Sequence, residues 1–329
     1  MAEGQVEIDQ LWIYQHISIS ASSQGIKLYR RCIKIMKRKW QHDRGLEARM
    51  LLTMFLLVLV YLAFLAVLAS QGAGMVTMLV FISAFMLVQY FFSDRLVLKS
   101  MGARIVSETE EPQLHQMVSR LCAMADLPKP RIAVVETAMP NAFATGRSPN
   151  NSVVAVTTGI MRQLSAAELE AVLAHELTHV KNRDVMVMTI ASFLSTIAFF
   201  IVRYSFFFGG GGSGRGKGGV AAAFFVSVLV WIISSLLIRS LSRYREFAAD
   251  RGAAVITGQP SNLASALMKI SGVMPRIPKE DLRKAEGMNA FFIIPAVSGS
   301  SIMNLLSTHP PVEKRIAALE RIGKELSTA

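Results

Sequence analysis

The residues from His175 to His179 read His-Glu-Leu-Thr-His, and the apolar, alanine-rich segment around them, residues 169–180, favours a helix. Residues four apart on a helix point in the same direction, so His175 and His179 are able to bind one metal ion. Glu176 is rotated away from this pair and is placed to reach a water molecule on the metal. Two imidazole ligands and a carboxylate base are the arrangement that zinc peptidases use to activate water.

A third ligand has to come from elsewhere, because a catalytic zinc takes three protein ligands and keeps one position for water. Glu246 and Asp250 are four residues apart in a charged helical segment, residues 239–257, and therefore share one face. We predict that Glu246 binds the metal and that Asp250 holds a ligand imidazole in its metal-binding tautomer. Acidic pairs at this spacing are also common on solvated helix faces. Because the His-Glu-x-x-His motif lacks a third ligand, a functional role is the better interpretation of this pair.

The elements that must position these residues are a helix and a small sheet. Ser165 and Glu168 form a capping box that predicts the start of the metal-binding helix near Ser165. Upstream, segment 111–125 has helical spacing, and segments 131–136 and 152–157 are β-branched runs typical of strands. Segment 141–146, between those two, predicts a third strand at the edge of the sheet.

Four long apolar runs interrupt this globular pattern. They form two pairs, 50–69 with 75–92 across the short turn 70–74, and 185–208 with 220–238 across the glycine-rich segment 209–219. Each run is long enough to cross a hydrocarbon core of about 30 Å. Buried helical hairpins of a soluble core are the alternative, but pairing by tight turns favours two membrane hairpins.

The domain organisation follows from these runs. Nine Lys or Arg residues between 27 and 49 place the N-terminus on the cytoplasmic side, and the apolar run after them is too long for a signal peptide. We predict five regions: a basic segment 1–49, a hairpin 50–93, a cytosolic part 94–184, a hairpin 185–238 and a second cytosolic part 239–329. Segment 276–300 has no clear period and is predicted to be a loop.

The hairpin 185–238 is predicted to help build the metal site. His179 lies about 9 Å before the third apolar run and Glu246 about 12 Å after the fourth, if both helices continue out of the bilayer. The ligands then end at similar heights, roughly 10 Å above the apolar boundary on the cytoplasmic side.

Composition supports a membrane protein rather than a nucleic-acid-binding one. Hydrophobic residues make up 52% of the chain and the mean hydropathy is +0.40. In such a chain, the net charge of +12 indicates basic residues that flank membrane spans, and we expect no nucleic-acid partner. Cys32 and Cys122 form no CxxC pair and suggest no disulfide framework, which fits a reducing compartment. The sequence contains no phosphate-binding Gly-x-x-x-x-Gly-Lys-Ser/Thr motif, so the reaction need not be driven by ATP unless a partner protein supplies it.

These motifs resemble those of HtpX-type membrane zinc metallopeptidases over about residue 36 to the end. The matching pieces are Arg49-Met50, the segment 140–146 (Pro-Asn-Ala-Phe-Ala-Thr-Gly), the segment 175–184 (His-Glu-Leu-Thr-His-Val-Lys-Asn-Arg-Asp), the segment 246–250 (Glu-Phe-Ala-Ala-Asp) and the segment 307–311 (Ser-Thr-His-Pro-Pro). The resemblance implies an α+β fold that is mostly α, with a zincin-like cytosolic domain containing a small sheet, fused to four transmembrane helices in two hairpins. It also implies one zinc ion per chain, with His175, His179 and Glu246 as ligands and Glu176 as the general base.

The resemblance further implies a function in the cell membrane. Proteases of this type cleave misfolded or damaged membrane proteins in stress-linked quality control, with a cytoplasmic active site, so the expected partners are membrane-protein substrates, the lipid bilayer and other quality-control proteases. Asn141, Ala142 and Phe143 resemble the start of an edge strand that pairs with an extended substrate. His309 resembles a residue that holds substrate or the developing oxyanion, although a simple helix-start histidine is the alternative.

Two other functions stay open at this point. A CaaX-type prenyl endopeptidase shares the motifs but usually has more membrane spans, and a non-catalytic scaffold would hold a structural zinc. A structural site normally fills its fourth position with Cys or His, and neither Cys32 nor Cys122 lies near the motifs. Residues 1–35 match nothing in the family pattern, and we hypothesise that Met36 is the natural start; N-terminal sequencing that returned Met1 or Ala2 would refute this.

Overall fold

The computed structural model describes residues 44–69, 97–208, 217–273 and 309–328, together with six positions between 80 and 95. The predicted N-terminal extension, the turn 70–74, most of the apolar run 75–92, most of the glycine-rich segment and the predicted loop 276–300 lie outside the described residues.

Helices and a small sheet follow one another along the described chain. In order they are α1 (Arg44–Ala69), β1 (Ala103–Ile105), α2 (Pro112–Ala125), β2 (Arg131–Val135), β3 (Ala142–Ser148), β4 (Asn151–Thr157), α3 (Thr158–Gln163), α4 (Ala166–Lys181), α5 (Asp184–Phe208), α6 (Lys217–Thr257), α7 (Pro260–Val273) and α8 (Val312–Thr328).

The sheet is mixed and has the strand order β1-β2-β4-β3. Strands β2 and β4 run parallel, while β1 and β3 pair antiparallel with them on the two outer sides. The prediction of three strands with 141–146 at the edge is confirmed, since β3 pairs only with β4 in the described sheet. Strand β1 was not predicted, because three residues with mostly exposed side chains carry no alternation to read.

The predicted start of the metal-binding helix is confirmed. Ser165 is the N-cap of α4, where its hydroxyl accepts from the Glu168 N–H and its own N–H donates to the Glu168 carboxylate at 2.8 Å. That carboxylate also accepts bonds from Ser265 and Lys269 on α7. The capping box therefore fixes the start of α4 and also ties it to a neighbouring helix.

The expectation that the metal-binding helix continues into the membrane run is wrong. Helix α4 ends at Lys181, and Arg183 adopts a left-handed φ of +54° before α5 begins at Asp184. This turn lets the apolar helix start in a new direction and brings Asp184 back towards His179. The matching expectation for α6 is confirmed, since one helix runs from Lys217 through Glu246 to Thr257. Residues 217–219, which were predicted to belong to the glycine-rich connection, form the first turn of this helix.

Helices α1, α5 and α6 pack together in one bundle. Leu57 and Tyr61 of α1, Ala191 of α5 and Leu241 of α6 form a buried apolar cluster, and the Tyr61 hydroxyl donates to the Ala191 carbonyl at 2.5 Å. Within the described residues, α1 and α6 each contain a segment long and apolar enough to cross a membrane, Gly45–Phe64 and Phe224–Thr257. Large apolar side chains such as Leu51, which is 71% exposed, cover the outside of these two helices, as lipid contact requires.

Candidate metal centre

Three potential metal ligands converge from α4 and α6. The Nε2 atoms of His175 and His179 are 3.1 Å apart, and the Glu246 carboxylate oxygens lie 3.6 Å from each of them. Tetrahedral ligands at metal distances of about 2.0–2.1 Å are separated by about 3.3–3.4 Å. The spacing therefore fits a single ion of this size, and the two nitrogens and one carboxylate are a donor set that zinc accepts.

His175 is held from its other ring nitrogen by Asp250. Nδ1 lies 3.0 Å from Asp250 Oδ1, and both side chains are buried. Asp250 in turn accepts bonds from the Arg315 guanidinium of α8, at 2.9 and 2.6 Å. A donating Nδ1–H leaves Nε2 with a lone pair for the metal, so Asp250 lies where the sequence analysis predicted such a carboxylate.

His179 has a matching support that the sequence analysis missed. Its Nδ1 lies 2.6 Å from Asp184 Oδ2, at the first residue of α5, and Asp184 forms an ion pair with Arg245 of α6. Arg245 also donates to the Asn182 carbonyl at 3.1 Å, in the turn between α4 and α5. Its position could have pointed to this role, because Asp184 is the acidic residue directly before the uncharged segment 185–202.

Glu176 lies between the metal group and the sheet. Its side chain is buried, and its Oε2 accepts a hydrogen bond from the Ala144 N–H of β3 at 3.0 Å. Burial raises the pKa of Glu176, and the charges of His175 and His179 partly oppose this rise. A carboxyl with a raised pKa is suited to take up a proton and to release it again.

Glu246 is flanked by the Arg315 guanidinium and the His309 imidazole. Arg315 Nη1 lies 3.2 Å from one of its oxygens and His309 Nδ1 lies 3.3 Å from the other. Burial acts to raise the pKa of Glu246, but the charges of His309 and Arg315 outweigh burial and hold that pKa well below its usual value. The carboxylate is therefore ionised and ready to bind a cation. Arg315 was not predicted, because a basic residue on an amphipathic helix is normally solvated, whereas this one is 1% exposed.

The two imidazoles differ in their affinity for a proton. Burial, together with the charge of His175, lowers the pKa of His179 to about 4. Burial also acts to lower the pKa of His175, but hydrogen bonds to Asp250 and Glu246 outweigh it and raise that pKa to about 9. A metal ion bound at His175 would have to displace this proton, so metal binding at neutral pH would release a proton.

The predicted substrate-binding residues present backbone rather than side chains to the cleft. Asn141, Ala142 and Phe143 are all buried, and Phe143 packs in the core cluster with Ala155 of β4. Because N–H groups alternate along a strand, those of Ala142 and Gly146 face the same side as that of Ala144, away from β4. A cavity along this side of β3 is lined by residues 144–148, by His179 and by Met186.

The comparison with known families decides the identity of the chain. The sequence profile of Peptidase family M48 matches residues 108–323, a segment that holds the His-Glu-x-x-His motif, Glu246 and Arg315. The chain belongs to peptidase family M48. Protease HtpX homolog 2 of Methanosarcina acetivorans is 68% identical over 294 residues, which is 89% of this chain and all of the relative. Protease HtpX homolog of Moorella thermoacetica is 59% identical over 295 residues, 88% of this chain and 99% of the relative.

A solved structure shares the fold of this M48 peptidase. The crystal structure of S. mikatae Ste24p superposes with a TM-score of 0.53 at 17% identity, covering 83% of this chain and 67% of that one. Taken together, the family and the HtpX relatives make the chain a membrane metalloendopeptidase of the HtpX type, as predicted. The predicted fold class is confirmed in its coarse form, a mostly helical protein with a small mixed sheet.

Proposed function

We propose that this M48 peptidase binds one zinc ion through His175, His179 and Glu246 and hydrolyses peptide bonds of misfolded or damaged membrane proteins. The observation that carries the proposal is the convergence of these three ligand atoms within 4.8 Å of one another, although one of them comes from a separate helix. Three nitrogen and oxygen ligands, with a fourth position left for water, are typical of catalytic zinc.

The protein residues around the ion divide the proton chemistry between them. Bound zinc would polarise the scissile carbonyl and lower the pKa of a water molecule. Glu176 accepts the proton of the attacking water and later delivers it to the leaving amine. The Ala144 N–H fixes one Glu176 oxygen, which leaves the other to face the water. Asp250 and Asp184 keep the two imidazoles in their metal-binding tautomers through contacts of 3.0 and 2.6 Å.

The substrate is proposed to bind as an added strand on β3. The N–H groups of Ala142 and Gly146, which face away from β4, supply main-chain hydrogen bonds to an extended peptide, while that of Ala144 stays with Glu176. Binding therefore depends little on the buried side chains of Asn141, Ala142 and Phe143. Gly146 lines the cavity and has a φ of +127°, and a β-carbon there would collide with the backbone of Asn151 and Ser152, so its missing side chain lets β3 and β4 stay paired at this end of the cavity. His309, beside Glu246, is proposed to stabilise the oxyanion that develops on the substrate.

The membrane arrangement is proposed to comprise four spans in two hairpins, within the five regions given above. Support comes from the bundle of α1, α5 and α6, since α5 packs beside the two helices that have membrane-spanning segments. Basic residues cluster where these helices meet the catalytic part, at Arg49, Arg183, Arg239 and Arg243, as is typical of a cytoplasmic surface. We accordingly place the protein in the plasma membrane, with its active site on the cytoplasmic side.

Zinc stoichiometry and proteolysis, measured together in detergent, test this function. We expect about one zinc per chain in the wild type. Glu176→Gln should keep the zinc and lose cleavage of an unfolded membrane protein, because only the base is removed. Glu246→Gln should lose both, since a charged ligand is replaced by a weak neutral one. Full proteolysis by Glu176→Gln would remove the base assignment, and full zinc content in Glu246→Gln would remove the ligand assignment.

The same samples separate the two alternative functions. A CaaX-type endopeptidase would cleave a prenylated C-terminal peptide and leave the unfolded membrane protein intact. A scaffold with a structural zinc would hold the ion in the wild type and in Glu176→Gln, and the wild type would cleave neither substrate. We expect zinc-dependent cleavage of the unfolded membrane protein, and its absence would overturn the proposed function.

A further inference from the structure

The cavity beside β3 connects the metal group to the start of α5. One wall is the strand from Ala144 to Ser148, and the other leads from His179 through the turn after α4 to Met186. Ala144 marks the catalytic end, because its N–H donates to Glu176 at 3.0 Å. Met186, in the first turn of α5, marks the opposite end.

The opposite end lies where the apolar helices begin. The chain carries no charged residue between positions 185 and 202, directly after Arg183 and Asp184. On the strand side, the Arg147 guanidinium carbon is 5.3 Å from the ring centroid of Phe91, near the end of the apolar run 75–92. Cations beside an apolar surface are typical of the cytoplasmic membrane interface. Both walls of the cavity therefore reach the proposed bilayer surface at the same end.

The distance between the two ends is short. From Ala144 to Arg147 the strand advances three residues, which is about 10 Å. The second wall is also short, because the turn at Arg183 brings the Asp184 carboxylate to 2.6 Å from His179 Nδ1. Only a few residues of extended peptide therefore fit between the catalytic Glu176 and the membrane surface.

We propose that β3 sets the distance between the cleaved bond and the bilayer, so that the favoured substrates are the extended flanks of membrane helices. This inference rests on the proposed function and adds a substrate class to it. The scissile bond should lie about three to six residues from the last membrane-embedded residue, the number of extended residues that spans this length and the interface.

The direction of β3 also predicts whether the membrane helix of a favoured substrate precedes or follows the cleaved flank in its sequence. The strand runs from Ala144, at Glu176, towards Ser148, at the membrane end. An antiparallel added strand forms the better hydrogen bonds and enters at Ser148 with its N-terminal part. Membrane helices on the N-terminal side of the scissile bond are therefore preferred over helices on its C-terminal side.

Reconstituted full-length enzyme and matched substrates test the proposal. Each substrate has one membrane helix and one fixed cytoplasmic flank, with zero, three or six small residues inserted between them. Mass spectrometry then gives the cleaved bond in phosphatidylcholine–phosphatidylglycerol vesicles. We expect the cleaved bond to stay at a constant distance from the helix, so that it moves back towards the helix end of the flank with three inserted residues and falls within the inserted segment with six. A second set, with the helix placed after the flank, should be cleaved more slowly.

Two results would overturn the proposal. One is a cleaved bond that keeps its place in the flank sequence whatever the insertion, and the other is equal cleavage of both helix orders. An unfolded soluble protein added to the same vesicles separates this failure from failure of the proposed function. If that protein is digested in a zinc-dependent way and the digestion is lost in Glu176→Gln, the proposed function holds, and only the proposed distance between the cleaved bond and the bilayer is refuted. No zinc-dependent digestion of any substrate would overturn both.

Discussion

Replacing Asp184 tests whether the metal centre depends on a residue at the start of a membrane helix. The Asp184 carboxylate contacts His179 Nδ1 at 2.6 Å and forms an ion pair with the buried Arg245. Asp184→Asn keeps an oxygen acceptor for the imidazole and loses the charge, whereas Asp184→Ala loses both. Loss of such an outer carboxylate lowers metal affinity about 10–100-fold, or about 1.4–2.7 kcal/mol. We expect Asn near the lower limit and Ala near the upper one.

The same substitution has a second, separable cost in stability. Arg245 is 5% exposed, and an uncompensated buried cation costs about 3–5 kcal/mol. The double variant Asp184→Asn with Arg245→Met removes that cation. It should regain most of the lost thermal stability in detergent while zinc affinity stays low, because His179 still lacks a charged partner.

Zinc affinity by chelator competition and thermal unfolding of the metal-free protein measure the two costs separately. If the double variant recovered zinc affinity together with stability, Asp184 would act only through folding and not on His179. Unchanged affinity in Asp184→Ala would refute the orientation argument outright.

Three further outcomes follow from the geometry. Because His175 has a raised pKa of about 9 and must lose its proton to bind metal, zinc affinity should rise about tenfold per pH unit up to pH 9 in equilibrium dialysis, and a flat profile would contradict this. Arg315→Leu removes the arginine that Glu246 and Asp250 share and should cost about 3–5 kcal/mol in thermal unfolding. An unshifted midpoint would show that this pairing contributes little. Gly252→Ala places a β-carbon against the Thr178 side chain and should lower both the stability and the zinc content. As a control, Gly272→Ala has open space around the added carbon and should stabilise the protein by up to about 1 kcal/mol. Equal effects of the two glycine variants in the same assays would rule out the helix contact as the cause.

The sequence identified the parts of the site that are close in the chain or share one helix face. His175, His179 and Glu176 follow from helical periodicity, and Glu246 follows from the need for a third ligand. The edge position of β3 was predicted for the segment between the two β-branched runs, and the family resemblance pointed to the same edge strand. These are local signals, which a sequence carries directly.

The supporting residues could not be predicted, because their roles depend on contacts between distant segments. Arg315 is 140 residues from His175, and nothing local shows that its helix packs against the site. The role of Asp184 could be predicted only by knowing that the chain turns at Arg183, and a positive φ at an arginine has no clear sequence signal. A continuous helix would have carried Asp184 away from His179.

If Glu246 binds the metal as proposed, the unbroken length of α6 would link catalysis to the thickness of the lipid around this helix. Its 41 residues form a rod about 60 Å long, and Glu246 lies roughly 25 Å from the middle of its apolar portion. Pivoting such a rod by about 3° would swing its carboxylate by about 1 Å, several times the tolerance of about 0.2 Å for a metal–ligand distance. Lipids with shorter or longer tails should therefore tune zinc retention in vesicles, and constant retention across tail lengths would show that the protein holds the rod rigid.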